Sequence, residues 1–349
     1  MLLGHEKTSF LHLPTPLEYL PGVSKDLGVE FYIKRDDLTN LGVGGNKLRK
    51  LEYLLKDAQD QGCTMLLTLG GAQTNHGRLT AAVAAKFGMK CAIVCVDDYP
   101  GELSANLLLD RLMGAEVILK KDDGRPESEQ FAETAAAVKA RYEAQGEKVY
   151  EIPIGGSSDV GMLGYYECAT EITQQAKAMG LEDATIYSAV GSIGTYMGLY
   201  CGLKNENSPL GLVGVAISPF LEAKDKRIVE YFNSVKEKYG LTCDACREDF
   251  HIERDYTHGA YNNPVAEVRE AVCYMARREA IILDPCYTGK AFAGICKMVK
   301  EGKIEKGSKV IFLHTGGLPC IYTKHHRVEF EKELLDGVTI LSSLPVKRT

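Results

Sequence analysis

The sequence predicts an α/β fold with parallel sheets that carry helices on both faces. Short apolar runs such as TIYSAVG and KVIFLHTGG alternate with longer stretches whose apolar residues recur at helical spacing. Glycine-marked turns stand at three of the predicted strand ends. Strands that alternate with helices are joined by crossovers, which makes neighbouring strands parallel and places the helices on the two faces of the sheet.

The length and charge of the chain narrow its class. Its 349 residues suffice for two domains or for one large α/β unit. The 41 basic and 47 acidic residues give a net charge of −6, which argues against a broad nucleic-acid surface. No apolar run approaches the length of a membrane span, and the first residues lack the features of a secretory signal. The 11 cysteines are therefore expected to be reduced thiols in a cytoplasmic protein.

The first half of the chain is expected to begin its alternation of elements at about residue 46. Leucines recur at helical spacing between Leu48 and Leu55, and Gly62 is suited to end this helix. The elements expected next are a strand in MLLTLGG, a helix over 77–87, a strand in CAIVCV, a helix in LSANLLLDRLMG, a strand in EVIL, a helix over 127–145 and a strand in KVYEIP.

The second half repeats this order of elements. A strand in TIYSAVG is followed by a glycine-rich turn and a helix, and a strand in LVGVAIS by a helix over 222–238. Another helix is expected in NNPVAEVREAVCYMARREA, with Pro264 in its first turn, before the late strand in KVIFLHTGG. Glycines and serines cluster in IPIGGSSDVG, so a domain boundary is expected near 150–160.

The turn in AVGSIGTYMG has the composition of a phosphate site. The strand is expected to end at Val190, and residues 191–195 lead into the next helix. Glycines let backbone N–H groups converge at a helix N-terminus, which favours an anion. A tight turn without a ligand explains the same residues. The GxGxxG and GK[ST] fingerprints are absent, which disfavours a dinucleotide oxidoreductase and a P-loop protein.

The turn in TLGGAQTNHGR, residues 68–78, is a second candidate site. Thr74, Asn75 and His76 stand at the start of the next predicted helix. Hydroxyl and amide groups beside exposed N–H groups suit a carboxylate. Ordinary capping of the helix by Thr74 or Asn75 explains these residues equally well.

The stretch LGVGGNKLRKLE, residues 41–52, places a lysine at the start of a predicted helix. Asn46 is suited to cap the helix, so Lys47 falls in its first turn, where the helix dipole disfavours positive charge. Such a position is expected to lower the pKa of the amine and favour its nucleophilic form. The adjacent glycines would let a flat ligand approach the backbone. A solvated surface lysine is the ordinary alternative.

Four segments resemble, in the same order, those of a known enzyme group: GGNKLRKLE, GGAQTNHGRLTAA, LDPCYTGKAFAG and HTGGLP. The group comprises the pyridoxal-phosphate enzymes related to D-cysteine desulfhydrase and 1-aminocyclopropane-1-carboxylate deaminase. The resemblance extends from residue 15 to about residue 317. It implies a tryptophan-synthase-β-like fold with two open, twisted, mainly parallel sheets flanked by helices. It also implies a large cofactor-binding domain (1–50 and 156–349), a small domain (51–155) and a homodimer.

The resemblance implies a role for each candidate residue. Lys47 resembles the lysine that condenses with the cofactor aldehyde, and Thr315 the partner of the pyridine nitrogen. Asn75 resembles the residue that bonds the ring hydroxyl, and Thr74, Asn75 and His76 resemble the loop that grips the substrate carboxylate. The phosphate loop corresponds to Gly191, Ser192, Ile193, Gly194 and Thr195.

Two tyrosines are implied on the substrate side. Tyr287, in DPCYTGK, resembles the active-site tyrosine that faces the substrate. Members of the group often carry a second tyrosine in a Tyr-Gly-x-Pro-Asn stretch, whereas this sequence has YTHGAYNNPV. Tyr261 is the expected equivalent, with Tyr256 and His258 as alternatives. Thr74 stands where a serine is usual, and its extra methyl is expected to crowd the substrate.

The reaction implied is α,β-elimination from a small amino acid with a β-leaving group, with D-cysteine giving pyruvate, ammonia and hydrogen sulfide. A hydroxyl at Thr315 should leave the pyridine nitrogen largely unprotonated, which favours direct loss of that group. Ring-opening deaminases of this group carry glutamate and leucine where this chain has Thr288 and Thr315. Alternatives are 1-aminocyclopropane-1-carboxylate deaminase, an eliminase of L-cysteine, β-chloroalanine or 2,3-diaminopropionate, and a non-catalytic protein that binds the cofactor or an amino acid.

Three other polar pairs are interpreted as structural. Cys243–Cys246 is an isolated C-x-x-C without the further ligands of a metal site, so no metal is expected. The pair His325–His326 is expected on the solvated surface. Asp36–Asp37 would face opposite ways on a strand, which suits a structural role better than joint catalysis.

Overall fold

The structure is a computed structural model that describes residues 1–339. Strands within this range form two sheets. The strands are β1 (Leu17–Tyr19), β2 (Glu30–Arg35), β3 (Met65–Leu69), β4 (Lys90–Val96), β5 (Glu116–Lys120), β6 (Val149–Ile152), β7 (Thr185–Val190), β8 (Gly211–Ala216), β9 (Ile252–Glu253) and β10 (Lys309–His314).

Helices alternate with these strands over most of the described chain, as the spacing of apolar residues predicts. The helices are α1 (Pro21–Leu27), α2 (Lys47–Asp60), α3 (Asn75–Lys86), α4 (Ala105–Leu112), α5 (Glu127–Glu143), α6 (Asp159–Met179), α7 (Gly194–Asn205), α8 (Glu222–Tyr239), α9 (Ala266–Glu279), α10 (Thr288–Lys300) and α11 (Lys324–Leu334).

The two sheets differ in size. The larger has the strand order β1-β2-β10-β7-β8-β9, in which only β1 is antiparallel to its neighbour, and the smaller has the parallel order β5-β4-β3-β6. The predicted fold class is therefore confirmed. The smaller sheet lies within residues 65–152. The division into a small domain (51–155) and a large domain (1–50 and 156–349) stays a prediction. The last ten residues of the large domain lie outside the described range.

The predicted helix at α2 is present with the expected glycine after its end, whereas the predicted helix at α9 begins later than expected. The leucines between Leu48 and Leu55 are buried, as their spacing predicts. α2 ends at Asp60, and Gly62 takes a φ of 69° in the turn that follows. α9 begins only at Ala266, because Val265 is extended. The prediction that Pro264 lies in the first turn of this helix is therefore wrong.

Helix α6 has no counterpart among the predicted helices. It packs against both α2 and α7, so its buried residues are spread around the helix instead of forming one stripe. Glycines allow the close contacts: a Cβ at Gly164 would lie 2.3 Å from the carbonyl oxygen of Arg49, and one at Gly198 would lie 2.4 Å from that of Met162. α6 thus fixes the start of α2 against the start of α7.

The adjacent carboxylates at 36 and 37 have separate structural partners. Asp36 is fully buried and accepts a hydrogen bond from Arg49 Nε at 2.8 Å, while Arg49 also donates to Glu171 of α6 at 2.9 Å. Asp37 accepts from Arg35 at 2.8 Å. The predicted structural role of this pair is confirmed, since the buried ion pairs tie the chain before α2 to both α2 and α6.

The state of the cysteines and the apolar character of the helices bear on two expectations from the sequence, namely reduced thiols and the lack of a membrane span. All eleven thiols are free, and six of the cysteines are buried. Among residues 1–339, no helix combines the length and the apolar character that crossing a membrane requires.

Candidate active site

A cleft of about 1230 Å³ lies at the carboxyl ends of strands from both sheets. Its wall includes the residues that follow β3, β7 and β10. Ligands of open α/β sheets bind in such a position. The predicted site residues that line the cleft are Lys47, Thr74, Asn75, His76, Gly191, Ser192, Ile193, Thr195, Tyr261, Tyr287 and Thr315.

Lys47 is the first residue of α2, as predicted. Burial lowers the pKa of its amine to about 8, so roughly a tenth of it is neutral at pH 7. The direction of this shift agrees with the prediction, but its cause is removal of the ammonium from water. The preceding residue, Asn46, donates from Nδ2 to Thr195 Oγ1 at 3.0 Å. Lys47 therefore begins its helix beside the turn at 191–195.

The two glycines before Lys47 permit close packing of backbone on backbone. Gly44 has a φ of 68°, and a Cβ there would lie 2.1 Å from the carbonyl oxygen of Asp37. A Cβ at Gly45 would lie 3.2 Å from the carbonyl oxygen of Thr315, and the N–H of Asn46 donates to the same oxygen at 3.0 Å. The glycines thus let the loop before Lys47 pack against the HTGG loop. The sequence interpretation assigned them to the approach of a ligand and did not include this contact.

The turn between β7 and α7 has the geometry of an anion site. β7 ends at Val190 and α7 begins at Gly194, as predicted. Ile193 has a φ of 70°, which is strained for a β-branched residue and must be held by its surroundings. The N–H groups in the first turn of α7 lack acceptors within the helix, and the positive end of the helix dipole lies there. The N–H of Gly194 donates to the carbonyl oxygen of Ser192 at 2.9 Å, so the N–H groups that could meet an anion in the cleft are those of Thr195 and Tyr196.

Lys50 is a buried lysine that the sequence interpretation missed. It lies one turn after Lys47, is fully buried, and donates from Nζ to the carbonyl oxygen of Gly155 at 3.0 Å. Burial and the charge of Lys47 hold its pKa well below the ordinary value. A Cβ at Gly194 would lie 2.8 Å from this Nζ, so Gly194 makes room for the amine instead of lining the cleft. The i, i+3 spacing from Lys47 was the only sequence signal.

The segment at the start of α3 orients its polar groups through named partners. Asn75 Oδ1 accepts from Asn106 Nδ2 at 2.9 Å, which leaves its amide nitrogen for a ligand. Asn106 was also missed from the sequence. Both ring nitrogens of His76 are buried and have no partner among residues 1–339. Burial, followed by the charges of Lys47 and Lys50, holds the pKa of His76 well below its usual value, so this imidazole is neutral.

Thr74 caps α3, since its hydroxyl accepts from the N–H of Gly77 at 3.3 Å. Its methyl carbon would contact a Cβ at Gly77 at 2.5 Å and one at Gly70 at 3.1 Å. The two glycines therefore provide the space for this methyl. The expectation that the methyl crowds the substrate is not supported, because its close neighbours are these glycines.

The two tyrosines meet in the cleft. The hydroxyl groups of Tyr261 and Tyr287 form a hydrogen bond, and their rings meet edge to face with centroids 5.6 Å apart. Burial raises the pKa of Tyr287, which keeps its hydroxyl protonated. Tyr256 instead donates from its hydroxyl to the exposed Glu301, and His258 Nδ1 lies 3.5 Å from Glu267 Oε2. Of these three alternatives in the 255–264 segment, only Tyr261 lines the cleft.

The two threonines that separate the candidate reactions have different surroundings. Thr315 lines the cleft and is largely buried. Thr288 is fully buried, and its hydroxyl donates to the carboxylate of Asp284 at 2.7 Å. Thr288 therefore helps to cap α10 and contributes no group to the cleft.

Only one residue of the expected surface pair His325–His326 is exposed. His326 is fully buried, and its Nε2 is bonded to Asn262 Oδ1 at 2.7 Å. His325 is exposed and lines the cleft, with Nε2 bonded to Asn262 Nδ2 at 2.7 Å. The prediction is thus wrong for His326, because the Asn262 side chain is hydrogen-bonded to both histidines and holds them against the segment that carries Tyr261.

Comparison with known proteins identifies the family of the chain. Residues 8–316 match the family described as "Pyridoxal-phosphate dependent enzyme". A relative from Pyrococcus abyssi named "Putative 1-aminocyclopropane-1-carboxylate deaminase" is 40% identical over 308 residues, which cover 88% of this chain and 90% of the relative. A "D-cysteine desulfhydrase" of Salmonella choleraesuis is 39% identical over 337 residues, which cover 93% of this chain and 99% of the relative.

A solved structure agrees with these relatives. The crystal structure titled as an "ACC deaminase homologue" is 35% identical to this chain and superposes with a TM-score of 0.84. The match covers 96% of this chain and 97% of that one. The similarity therefore extends over both sheets and the cleft between their strand ends.

Proposed function

This chain belongs to the pyridoxal-phosphate dependent enzymes, and we propose that it eliminates a β-leaving group from a small amino acid. D-cysteine is the substrate proposed first, with pyruvate, ammonia and hydrogen sulfide as products. The observation that carries this proposal is a buried amine, Lys47, whose pKa is lowered to about 8 beside the glycine-rich turn at 191–195. Relatives named for D-cysteine desulfhydration and 1-aminocyclopropane-1-carboxylate deamination support the reaction class.

The residues of the cleft fit the cofactor. Lys50 is a buried amine near the turn at 191–195, and burying a cation without an anionic partner is costly. A phosphate at this turn would accept from the first-turn N–H groups of α7 and from Lys50, which would satisfy both. When bound, the cofactor supplies an aldehyde that condenses with amines and a ring that withdraws electrons from the substrate Cα.

We propose that the amine of Lys47 removes the proton from the substrate Cα. A general base works best when its pKa lies near the working pH, and burial brings this amine to about 8. The hydrogen bond from Asn46 to Thr195 and the contact between Gly45 and Thr315 hold the start of α2 in place. An amine held in this way pays little entropy to reach its target atom.

The remaining polar groups would bind the ring and the substrate. We assign the amide nitrogen of Asn75 to the ring hydroxyl and Thr315 to the ring nitrogen, where a hydroxyl holds no fixed negative charge. The substrate carboxylate would bind at the start of α3, through N–H groups and through Thr74, Asn75 and neutral His76. We assign Tyr287, with Tyr261 behind it, to the leaving group, because a protonated hydroxyl can donate to a departing thiolate.

Two observations favour elimination over opening of a cyclopropane ring. Thr288 is withdrawn from the cleft by Asp284, so the carboxyl group that the ring-opening deaminases carry at this position has no equivalent there. Thr315 offers a hydroxyl where those enzymes carry leucine. The name of the Pyrococcus abyssi relative keeps 1-aminocyclopropane-1-carboxylate as the second substrate proposed.

A substrate panel tests the proposal. The holoenzyme is incubated with D-cysteine, L-cysteine, β-chloroalanine, 2,3-diaminopropionate and 1-aminocyclopropane-1-carboxylate, and 2-oxo acid, ammonia and sulfide are measured. Equal amounts of pyruvate and sulfide from D-cysteine are expected. Formation of 2-oxobutanoate from the cyclopropane substrate alone would favour the deaminase. Absence of turnover with every amine, despite bound cofactor, would favour a binding protein.

We further propose that the protein is a cytoplasmic homodimer. The proposal rests on the resemblance to the enzyme group and on eleven free thiols. Light scattering of the purified chain tests the dimer, and cell fractionation tests the location.

A further inference from the structure

Two cysteines lie together in the wall of the cleft. Cys286 precedes Tyr287 in the turn before α10, and Cys320 lies in the short helical turn Leu318–Tyr322 that follows the HTGG loop. Both line the cleft, although their exposed fractions are only 2% and 5%. The two Sγ atoms and a carboxylate oxygen of Asp284 lie within 4.8 Å of one another.

This cluster does not fit a metal ion. The carboxylate of Asp284 already accepts hydrogen bonds from the N–H groups of Cys286, Tyr287 and Thr288 and from the Thr288 hydroxyl, at 2.7–2.9 Å. A metal would have to displace the cap of α10. The two thiols alone fall short of the four ligands of a structural zinc site.

The two thiols differ in their surroundings. Cys286 Sγ donates to the carbonyl oxygen of Tyr261 at 3.4 Å, and the ammonium of Lys290 donates to the same oxygen at 2.9 Å. The Lys290 ammonium and the Cys286 sulfur thus meet at one carbonyl oxygen, and the thiolate is the form of a cysteine that peroxides oxidise. The hydrogen bond to Cys286 and burial raise the pKa of Cys320, which keeps Cys320 a thiol.

We propose that Cys286 and Cys320 form an oxidation site for a small hydroperoxide that enters through the cleft. The thiolate of Cys286 attacks one peroxide oxygen, the O–O bond breaks, and hydroxide leaves, so the sulfur becomes a sulfenic acid. The Cys320 sulfur then attacks this sulfur, its proton combines with the departing hydroxyl as water, and a disulfide remains. The peroxide is reduced by two electrons, and the two thiols are oxidised by two.

The disulfide would act on the tyrosines. Cys286 is bonded to the backbone of Tyr261 and directly precedes Tyr287. A bond to Cys320 would draw the sulfur away from the Tyr261 carbonyl and tie the Tyr287 turn to the chain that follows Thr315. Displacements of about 1 Å can cost up to about a hundredfold in rate, so we expect at least about a tenfold loss of turnover that dithiothreitol reverses.

Peptide mapping of the oxidised holoenzyme tests the site. The enzyme is treated with one equivalent of hydrogen peroxide, remaining thiols are blocked with iodoacetamide, and peptides are analysed without reduction. A linked Cys286–Cys320 peptide, lighter by two hydrogen atoms than the two thiol peptides, is the expected product. Cys320→Ser should yield no such link, and dimedone should label its Cys286 as the trapped sulfenic acid.

The pair Cys243 and Cys246 provides the matched control, because Cys246 is exposed and both lie outside the cleft. The double variant Cys243→Ser, Cys246→Ser should form the Cys286–Cys320 link as fast as the unchanged enzyme. A link found only between Cys243 and Cys246 would overturn the proposal. The proposal would also be overturned if dimedone labelled Cys320 in the Cys286→Ser variant but did not label Cys286 in the Cys320→Ser variant. Full retention of both thiols would overturn it as well. These mass readouts do not depend on which amino acid is the substrate.

Discussion

The cleft has two halves that are built differently. The cofactor half contains Lys47 and the turn at 191–195, with Lys50 buried outside the cleft lining, and it is set on helices and strands whose neighbouring residues are buried. The tyrosine half contains Tyr287 and the segment 254–265, which carries neither helix nor strand. Tyr261 in that segment is 46% exposed, whereas Lys50 is fully buried.

This difference indicates how the two halves divide the work. A phosphate and a ring need fixed donors, which regular elements provide with little freedom. Substrates with different leaving groups need a wall that can change between related enzymes, and loops accept such change more readily than buried helices. The division predicts that changes in the cofactor half affect all substrates alike, while changes in the tyrosine half alter the preference among them.

The largest effect is expected for Lys47→Ala. Loss of the amine should lower turnover by more than about a thousandfold with every substrate, since it removes both the nucleophile and the base. Borohydride reduction of the holoenzyme followed by peptide mapping should locate the cofactor on Lys47, and the variant should carry none. Lys56→Ala, a change of a partly exposed lysine on the same helix that pairs with Asp60, is the control. Cofactor fixed to Lys50 in the unchanged enzyme would contradict the assignment.

Tyr287→Phe and Tyr261→Phe test the tyrosine half. Removal of a positioned proton donor costs about a hundredfold, so kcat should fall by about that factor for Tyr287→Phe and by less for Tyr261→Phe, while cofactor affinity stays unchanged. Tyr256→Phe is the matched control, because its hydroxyl bonds Glu301 outside the cleft. Equal losses for D-cysteine and β-chloroalanine would weaken the comparison, since chloride needs less help to leave than a thiolate.

Lys50→Met tests whether the buried amine binds phosphate. A hydrogen bond to a charged group contributes about 1.5–3 kcal/mol, so affinity for pyridoxal phosphate should fall by about ten- to a hundredfold. Spectroscopic titration of the apoenzyme measures this affinity, with Lys56→Met as the control on the same helix. Affinity for pyridoxal without its phosphate should hardly change. An equal loss for both ligands would mean that Lys50 supports the fold instead.

The smallest effect is expected for His326→Gln, which concerns stability behind the tyrosine half. Burial lowers the pKa of His326 to about 3. Between pH 6.5 and 3 this imidazole is therefore protonated in the unfolded chain but stays neutral in the folded chain. The free energy of unfolding should therefore fall as the pH falls through this window, by about 2 kcal/mol at pH 5 from this group. Urea denaturation at pH 7 and pH 5 should show a smaller fall in the variant, whereas His12→Asn, at an exposed site, should behave like the unchanged chain.

Much of the fold and of the cofactor half could be predicted from local sequence. Apolar spacing located α2, and the glycines of AVGSIG marked the turn after β7. Lys47 was placed correctly because its position depends only on where one helix begins. α6 was not predicted, because a helix buried on several sides has no polar face from which to read its period.

The remaining features depend on contacts between distant parts of the chain. Apart from its i, i+3 spacing from Lys47, nothing near Lys50 in the sequence distinguishes it from an exposed lysine. Its burial depends on Gly155 and Gly194, more than a hundred residues away. In the same way, His326 is buried because Asn262 lies against it, and Tyr261 rather than Tyr256 reaches the cleft because Glu301 binds the latter.

The sequence by itself determined the α/β class, the start of α2 at Lys47 and the position of the glycine-rich turn after β7, because each depends on residues within a few positions of one another. The tertiary structure decided which amines lost their water, which thiols met and which tyrosine faces the cleft. Desolvation and side-chain pairing depend on elements that the chain brings together only when it folds.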